Sequence, residues 1–393
     1  MEFRFSAEDE AFRAEVRAFL RQELPPEWEP GTGRESVTDE QWAFMRHFTR
    51  RLAARGWLTL AWPREYGGAG ASPTRQLIYN EEMSYAGAPA ATGSGIALTG
   101  PTLMVHGTEE QKRRFLPPIA RGEVVWCQGF SEPGAGSDLA SLQTRAVRDG
   151  DDYVINGQKI WTTAGHRADW MILLARTDPD APKHRGITYF LVDMNSPGIT
   201  VRPLINMVGR HEFNEVFFEN VRVPAENVVG EVNRGWYVAT TTLDLERSSI
   251  AAMANGRRML DDLLAFCRAE RWDGLRLIDH PRVRPVLADL HIGVEIGRLF
   301  SYRVAWLQAQ GRVPNVEASQ AKLFAAELSQ KVAQGGMRVL ALYGPLREGS
   351  PWARIRGRFA THYLWTVSQT YAGGSVEIQR QIIATRGLGL PRG

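Results

Sequence analysis

The chain has 393 residues, of which 44% are hydrophobic and 23% are charged, a composition typical of folded globular proteins and not of disordered or fibrous ones. This length is enough for about two or three domains. The formal net charge is only +3, so overall charge does not indicate nucleic-acid binding. Cys127 and Cys267 are the only cysteines, too few for a disulfide framework or a thiolate metal site, and we expect no bound metal.

The amino terminus carries charge from its second residue, Glu2, onward. No segment of the sequence approaches the ~20 consecutive apolar residues that a membrane-spanning helix needs. We therefore expect no membrane association, and the low cysteine content makes a reducing cytoplasm the expected compartment.

Apolar residues recur at helical spacing in two runs near the amino terminus, Phe12 to Leu20 and Trp42 to Ala53. Further helical signals continue to about Arg121. The sequence therefore predicts an α-helical domain over residues 1–121.

The pattern changes at Gly122, where short β-rich segments alternate with turn residues as far as Asn233. Several short strands with turns between them predict a β-barrel or sandwich domain over residues 122–233. Within it, the dipeptide Asn156-Gly157 predicts a hairpin turn.

From Gly235 the sequence returns to long runs with helical spacing of apolar residues, which predict a four-helix bundle domain over residues 234–393. The runs are Trp236 to about Arg271, Arg282 to Gln310, Val316 to Leu342 and Trp352 to Ala384. The predicted fold class is α+β and multidomain. The sequence shows no internal repeat, Walker loop, Rossmann fingerprint or zinc-ligand spacing.

Two segments of the β region carry candidate chemistry. Residues 126–138 combine glycines and hydroxyl side chains, and backbone N–H groups in such a loop can bind phosphate or carbonyl oxygens; an ordinary turn-rich linker is the alternative. Residues 156–165 place Trp161 beside the hydroxyls of Thr162 and Thr163. Taken alone, Trp161 is more often a core residue than a cofactor contact.

Together these segments resemble one family with high specificity. The sequence Ser-Glu-Pro-Gly-Ala-Gly-Ser-Asp at residues 131–138 closely resembles the acyl-CoA dehydrogenase signature, and Asn-Gly-Gln-Lys-Ile-Trp-Thr-Thr at 156–163 resembles the flavin-contacting strand of that family. The resemblance covers almost the whole chain and implies FAD as cofactor. It places Ser137 at the FAD pyrophosphate, and the other implied cofactor contacts are Gln128, Phe130, Ser131, Trp161 and Thr163. Phe130 replaces the smaller aliphatic residue usual in the signature.

The catalytic glutamate that many family members carry in a Tyr-Glu-Gly-Thr motif is missing, because Gly373 stands at the matching position. A second branch, resembling isovaleryl- and long-chain acyl-CoA dehydrogenases, carries the base in a Leu-Asp-Leu-Glu-Arg segment. Residues 243–247 match that segment, which selects Glu246. Asp244 and Arg247 match family positions near the CoA moiety, although Arg247 could also be a solvated helix charge.

Helical spacing also places Glu246 on one stripe with Leu243, Ile250 and Met253. A carboxylate in an apolar row would be a stronger base when ionised beside a substrate. The alternative is a glutamate that is paired with an arginine from another part of the chain.

The mechanism implied by the resemblance is a 2,3-dehydrogenation of an acyl-CoA thioester to the trans-2-enoyl-CoA. Glu246 removes the proton at carbon 2 while hydride passes from carbon 3 to flavin N5. The backbone N–H of Gly373 and a ribityl hydroxyl of FAD stabilise the developing enolate oxygen. The implied electron acceptor is an electron-transferring flavoprotein.

Two family features are poorly matched. A segment Arg-x-x-Phe-Gly that reaches the neighbouring subunit's FAD is replaced by residues 271–274, and a Gly-Gly-x-Gly loop by residues 342–345. The combination resembles actinobacterial-type dehydrogenases for steroid-like acyl chains, some of which assemble with a related subunit. We therefore expect either a homo-oligomer, a dimer or tetramer, or a heterotetramer with such a subunit. A noncatalytic subunit and an acyl-CoA oxidase are the alternative functions.

Overall fold

The computed structural model of the protein describes residues 4–26, 28, 37–245 and 249–391, and of residues 243–245 only the backbone. By their contacts the residues form two compact units. The bundle unit consists of Met1–Gly31, Ser72–Ala88 and Arg247–Gly393, and the sheet unit consists of Thr32–Ala71 and Pro89–Glu246. No helix in the described ranges is long and apolar enough to cross a bilayer.

The main helices lie before and after the strands, as the sequence predicts. In chain order they are α1 (Ala7–Glu23), α2 (Asp39–Ala54), α3 (Pro73–Tyr85), α4 (Gly100–His106), α5 (Glu109–Ala120), α6 (Gly235–Leu245), α7 (Ile250–Ala269), α8 (Arg284–Ala309), α9 (Asn315–Leu340), α10 (Arg358–Trp365) and α11 (Val376–Ile382). Local sequence signals define where two of the helices begin. Thr38 before α2 and Thr108 before α5 each form a capping box with a glutamine three residues later.

The strands form one eight-stranded mixed sheet and a short hairpin. They are β1 (Trp126–Gly129), β2 (Arg145–Asp149), β3 (Asp152–Lys159), β4 (Trp170–Arg176), β5 (Ile187–Asp193), β6 (Ile199–Ile205), β7 (His211–Pro224), β8 (Val228–Val229), β9 (Arg271–Trp272) and β10 (Leu275–Arg276). The sheet order is β6-β7-β3-β2-β4-β5-β8, with β1 parallel to β4. The predicted fold class, with helices before and after a β region, is confirmed.

The central strands are buried on both faces, which explains their continuous apolar sequences. On β4, Met171 and Leu173 belong to one core cluster, whereas Ile172 and Leu174 belong to another. Successive residues of a strand point to opposite faces, so these two clusters lie on the two sides of the sheet. The sheet is thus a rigid platform for the loops at its strand ends.

The predicted hairpin turn at Asn156-Gly157 is wrong, because β3 continues through both residues. The pairing of β3 with β7 shifts register between Ile155 and Gly157, which is a β-bulge. Gly157 is needed there for space, since a Cβ on it would lie 2.7 Å from the Thr144 Cα. The Asn-Gly signal therefore marks a bulge and a close backbone approach, which local sequence patterns do not distinguish from a turn.

The bundle unit has its largest core between α7, α8 and α9. This core includes Leu263, Val294 and Val332, all fully or almost fully buried. Gly297 permits the close approach of α7 and α8, because a Cβ there would lie 2.0 Å from the Met253 Sδ.

Two predicted helical runs differ from the structure. The run predicted from Trp236 to Arg271 contains two helices, α6 and α7, with residues 246–248 outside the described residues. The run predicted from Trp352 to Ala384 is broken into α10, α11 and short irregular turns. Positive φ angles, which are incompatible with a continuous helix, interrupt the run at two places: Ile355 and Arg356 (49° and 52°) before α10, and Gly373 and Gly374 (61° and 88°) before α11.

Charged side chains from α1, α3 and α8, most of them buried, meet in the bundle unit. We call this group the arginine–glutamate cluster: Arg13, Arg17, Glu81, Glu82, Arg298 and Tyr302. Arg13 Nη1 donates to Glu81 Oε2 at 2.8 Å and to Glu82 Oε1 at 2.6 Å. Burial favours a neutral Glu81, but Arg13 and Arg298 outweigh it and lower the pKa of Glu81. The cluster joins α1 and α8 to α3.

Replacing Arg13 with Met should destabilise the protein strongly. The change would leave Glu81 and Glu82 without one of their buried cationic partners, and breaking a buried ion pair from one side costs about 3–5 kcal/mol. We expect a loss of that size in the free energy of unfolding, measured by urea denaturation followed by circular dichroism.

The matched control is Arg113→Met, because Arg113 pairs with Glu110 while both side chains are exposed. Exposed pairs contribute about 0–1 kcal/mol. Equal losses in the two variants would contradict a stabilising role for the arginine–glutamate cluster.

Candidate functional site

Three segments of the sheet unit meet at one end of β3. They are the loop after β1, the residues that follow β3, and the start of β7. Backbone hydrogen bonds join them: Ile160 N donates to Ser131 O at 3.0 Å, and Thr162 N donates to Asn214 O at 3.0 Å. The two segments singled out in the sequence are therefore neighbours in space.

Gln128 and Phe130 contribute differently to this site: Gln128 has an unpaired hydrogen-bond donor, whereas the Phe130 ring is packed in the core. The Gln128 Nε2 is buried and has no hydrogen-bond partner within the described part of the chain. Phe130 is only 4% exposed, and its ring packs edge-to-face against Tyr189 with centroids 5.9 Å apart. The unusually large side chain at position 130 thus contributes to the core, and Gln128 offers the unpaired donor.

Hydroxyl groups around the site also lack partners. Among the described residues, no hydrogen bond involves the side chains of Ser131, Ser137 or Thr163, and the buried Thr162 Oγ1 is likewise unpaired. Ser137 and Thr163 are exposed, so water can satisfy their hydroxyls, whereas a buried donor without an acceptor, such as Thr162 Oγ1, is rare in native proteins and requires an explanation such as a ligand. FAD carries ring carbonyl and pyrophosphate oxygens that would accept hydrogen bonds from all of these groups, so the residues fit the predicted cofactor.

Trp161 is held in a strained and exposed conformation. Its φ angle is 61° and its residue surface is 55% exposed, although a left-handed backbone is unfavourable for a bulky residue. Hydrogen bonds from the flanking Ile160 N and Thr162 N fix the backbone on both sides. The alternative that Trp161 is a core residue is therefore wrong, and its role as a flavin contact stays a prediction.

Asn214 connects the segment after β3 to two histidines. Its Nδ2 donates to Thr162 O at 2.9 Å and lies 3.2 Å from His166 Nδ1, while its Oδ1 lies 2.8 Å from His211 Nε2. The two imidazole rings stack with centroids 3.9 Å apart. Partial burial, followed by His211 and Arg167, lowers the pKa of His166 to about 4, so His166 is neutral at pH 7.

Sequence reasoning missed Asn214 and both histidines as parts of this site. Asn214 lies 52 residues from Thr162 along the chain, and β7 reaches it only through its pairing in the sheet. No local signal singled out Asn214, because β7 carries several other polar residues along its length.

The structure leaves the predicted catalytic and substrate residues as predictions. Glu246 and Arg247 lie outside the described residues, and the side chain of Asp244 is not described. Gly373 belongs to the bundle unit, where a Cβ on it would lie 3.9 Å from the Lys322 Nζ.

The helix that precedes Glu246 is firmly attached within the sheet unit. On α6, the buried Thr242 Oγ1 lies 2.8 Å from Thr102 Oγ1 and 3.5 Å from the Tyr189 hydroxyl. Tyr189 also packs against Phe130. The carboxyl-terminal part of α6 and the loop after β1 are therefore connected through one buried tyrosine.

Trp161→Ala should weaken FAD binding without harming the fold. An aromatic contact contributes about 0.5–1.5 kcal/mol, so the FAD dissociation constant should rise about three- to tenfold. Because the ring is largely exposed, the apoprotein's free energy of unfolding should change by less than about 0.5 kcal/mol. Fluorescence titration of apoprotein with FAD measures the first quantity, and urea denaturation the second.

Trp352→Ala is the matched control, since Trp352 is 64% exposed and belongs to the bundle unit. Unchanged FAD affinity in Trp161→Ala, or an equal loss in both variants, would remove Trp161 from the cofactor site.

Comparison with known proteins gives matches along nearly the whole chain. Family models described as the acyl-CoA dehydrogenase N-terminal, middle and C-terminal domains match residues 6–123, 127–221 and 233–388. Acyl-CoA dehydrogenase IpdE1 of Mycobacterium tuberculosis is 40% identical over 98% of each chain. Among solved structures, the Tcur3481-Tcur3483 steroid ACAD has a TM-score of 0.91 with 36% identity over the whole of both chains. The ChsE4-ChsE5 complex from Mycobacterium tuberculosis has a TM-score of 0.90 with 38% identity, also over the whole of both chains.

Proposed function

The chain belongs to the acyl-CoA dehydrogenase family, and we propose that it dehydrogenates an acyl-CoA thioester between carbons 2 and 3 with Glu246 as the base. The predicted family, oxidoreductase activity and FAD cofactor are confirmed by this membership. The reaction's residue assignments and its substrate are our proposal.

In this proposal FAD is the two-electron oxidant, and the chain supplies its placement. The unpaired Gln128 Nε2 and the hydroxyls of Ser131 and Thr163 would hold the ring system, and Ser137 would bind the pyrophosphate. All four residues belong to the sheet unit. The exposed ring of Trp161 would cover one part of the flavin.

The attachment of α6 to the sheet unit is the observation that best supports the proposal of Glu246 as the catalytic base. Glu246 follows directly after Leu245, the last residue of α6. Thr242, one helical turn earlier, is fixed to Tyr189, whose ring contacts Phe130. The end of α6, from which the chain continues to Glu246, is therefore anchored near the predicted cofactor contacts, and a general base requires such positioning.

Proton removal from carbon 2 also requires stabilisation of the thioester oxygen. We assign this role to the backbone N–H of Gly373, whose side chain is not needed for it. Asp244 and Arg247 are proposed to bind the CoA moiety, because charge-assisted hydrogen bonds suit its phosphates and polar groups.

We propose a bulky, steroid-like acyl group as the substrate. One similar structure is titled a steroid ACAD. The small residues Ala372, Gly373 and Gly374 next to the predicted oxygen contact leave room for a wide acyl chain. An electron-transferring flavoprotein is proposed to reoxidise the enzyme.

Glu246→Gln should abolish turnover while the protein stays yellow. Glutamine has the same shape but cannot accept a proton, and removing a positioned general base costs about 10²-fold or more in rate. The rate is measured as anaerobic bleaching of the flavin absorbance when each protein is mixed with straight-chain, branched or steroid thioesters. The thioester that bleaches the wild-type flavin fastest identifies the substrate.

Glu231→Gln is the control, because Glu231 is an exposed glutamate shortly before α6. It should bleach at the normal rate. Near-normal bleaching by Glu246→Gln would place the base on another residue.

We also propose that a related subunit completes the FAD site. Similar structures are titled as two-protein assemblies, Tcur3481-Tcur3483 and ChsE4-ChsE5. The segment at the Arg-x-x-Phe-Gly position forms the β9–β10 hairpin, in which Arg271 Nη1 donates to Gly274 O at 2.9 Å. The Arg271 side chain therefore binds the backbone of its own hairpin turn. The second substituted loop exposes Leu342, which is 89% accessible.

The protein expressed alone should contain less than one FAD per chain, and co-expression with the related subunit should restore full FAD content and activity. Size-exclusion chromatography with multi-angle scattering, combined with flavin absorbance, measures the assembly and the stoichiometry. A stable homodimer of the chain alone with full FAD content and activity would contradict this proposal.

A further inference from the structure

A buried lysine lies directly beside the candidate site. Lys159, the last residue of β3, has no exposed surface. Its Nζ donates to Glu132 Oε1 at 2.7 Å and to the backbone oxygen of Phe130 at 3.0 Å. The lysine thus contacts the loop after β1 twice, immediately before and after Ser131.

Both oxygens of the Glu132 carboxylate, the partner of Lys159, accept hydrogen bonds. Glu132 Oε2 accepts from Gln143 N at 2.6 Å, and Oε1 accepts from Thr144 N at 2.9 Å in addition to Lys159. Burial lowers the pKa of Lys159 to about 8, against the opposing effect of Glu132. The lysine therefore keeps its charge at pH 7. A buried pair of this kind fixes geometry more than it adds stability.

The contact with Phe130 O determines how the next peptide group is oriented. In a planar trans peptide the carbonyl and the N–H point in opposite directions. Because the Phe130 carbonyl points to Lys159, the N–H of Ser131 points away from it. Within the described part of the chain, this N–H and that of Trp161 make no hydrogen bond.

We propose that Lys159 and Glu132 are positioning residues for FAD, which orient the Phe130–Ser131 peptide so that the Ser131 N–H is presented to the cofactor. The same pair holds the loop after β1 against the end of β3, so Ser131 and Trp161 keep a fixed spacing. The proposal rests on the cofactor contacts proposed above and not on the identity of the base.

The test separates stability from cofactor binding. Lys159→Met and Glu132→Gln each leave a buried charged group without its partner and should lower both the urea midpoint of the apoprotein and FAD affinity. The double variant removes both charges, so its urea midpoint should return close to that of the wild type. Its FAD dissociation constant should stay at least about tenfold raised, because the Phe130 carbonyl has lost its donor.

Lys112→Met is the matched control, because Lys112 pairs with Glu109, an exposed residue of the same unit, at 2.9 Å. It should bind FAD normally. A double variant that regains wild-type FAD affinity together with its stability would overturn the proposal, since the pair would then serve the fold alone.

Hydrogen exchange of the wild-type apoprotein tests the proposal without any variant. The amide of Ile160, which donates to Ser131 O, should be protected before FAD is added. Protection that arises only after FAD binding would show that the pair does not pre-position the loop. Both readouts concern FAD binding, so they remain valid even if Glu246→Gln retains turnover.

Discussion

The pairing requirement of a buried ammonium group is the constraint on which the candidate site depends. An unpaired lysine charge in a dry interior would cost several kcal/mol, so Lys159 must reach both Glu132 and the Phe130 carbonyl. Those two acceptors flank Ser131, and the lysine itself ends the strand that leads to Trp161. One electrostatic requirement therefore fixes two chain segments at the same time.

The sheet makes this fixation possible because its central strands are packed on both faces. A platform buried on both sides resists deformation, and it can hold a tryptophan with a positive φ angle at its edge. The strain at Trp161 is balanced by backbone hydrogen bonds on either side and by Asn214, which binds the carbonyl of Thr162. Strained residues of this kind are maintained where a binding site needs them.

Both units contain buried polar groups. In the bundle unit, the arginine–glutamate cluster satisfies its buried charges internally and joins three helices. In the sheet unit, Gln128 Nε2 and Thr162 Oγ1 are buried without partners in the described part of the chain. Buried unpaired atoms also occur in the bundle unit, at Ser249, Asn315 and Gln379, so an unpaired group by itself does not indicate where a ligand binds. The assignment of the cofactor contacts to the sheet unit depends on Gln128 and Thr162 lying in the two segments that resemble the flavin-contacting motifs.

The sequence by itself determined the order of helices and strands, the family and the cofactor, because periodicity and short motifs are local properties of the chain. It misjudged Asn156-Gly157, where a bulge replaces a turn, and the last helical run, which Gly373 and Gly374 interrupt. Only the tertiary structure showed that Trp161 is exposed and that Lys159 pairs with Glu132. These contacts join residues that are distant along the chain, and their geometry is set by strand pairing and by the cost of burying charge, which no local pattern records.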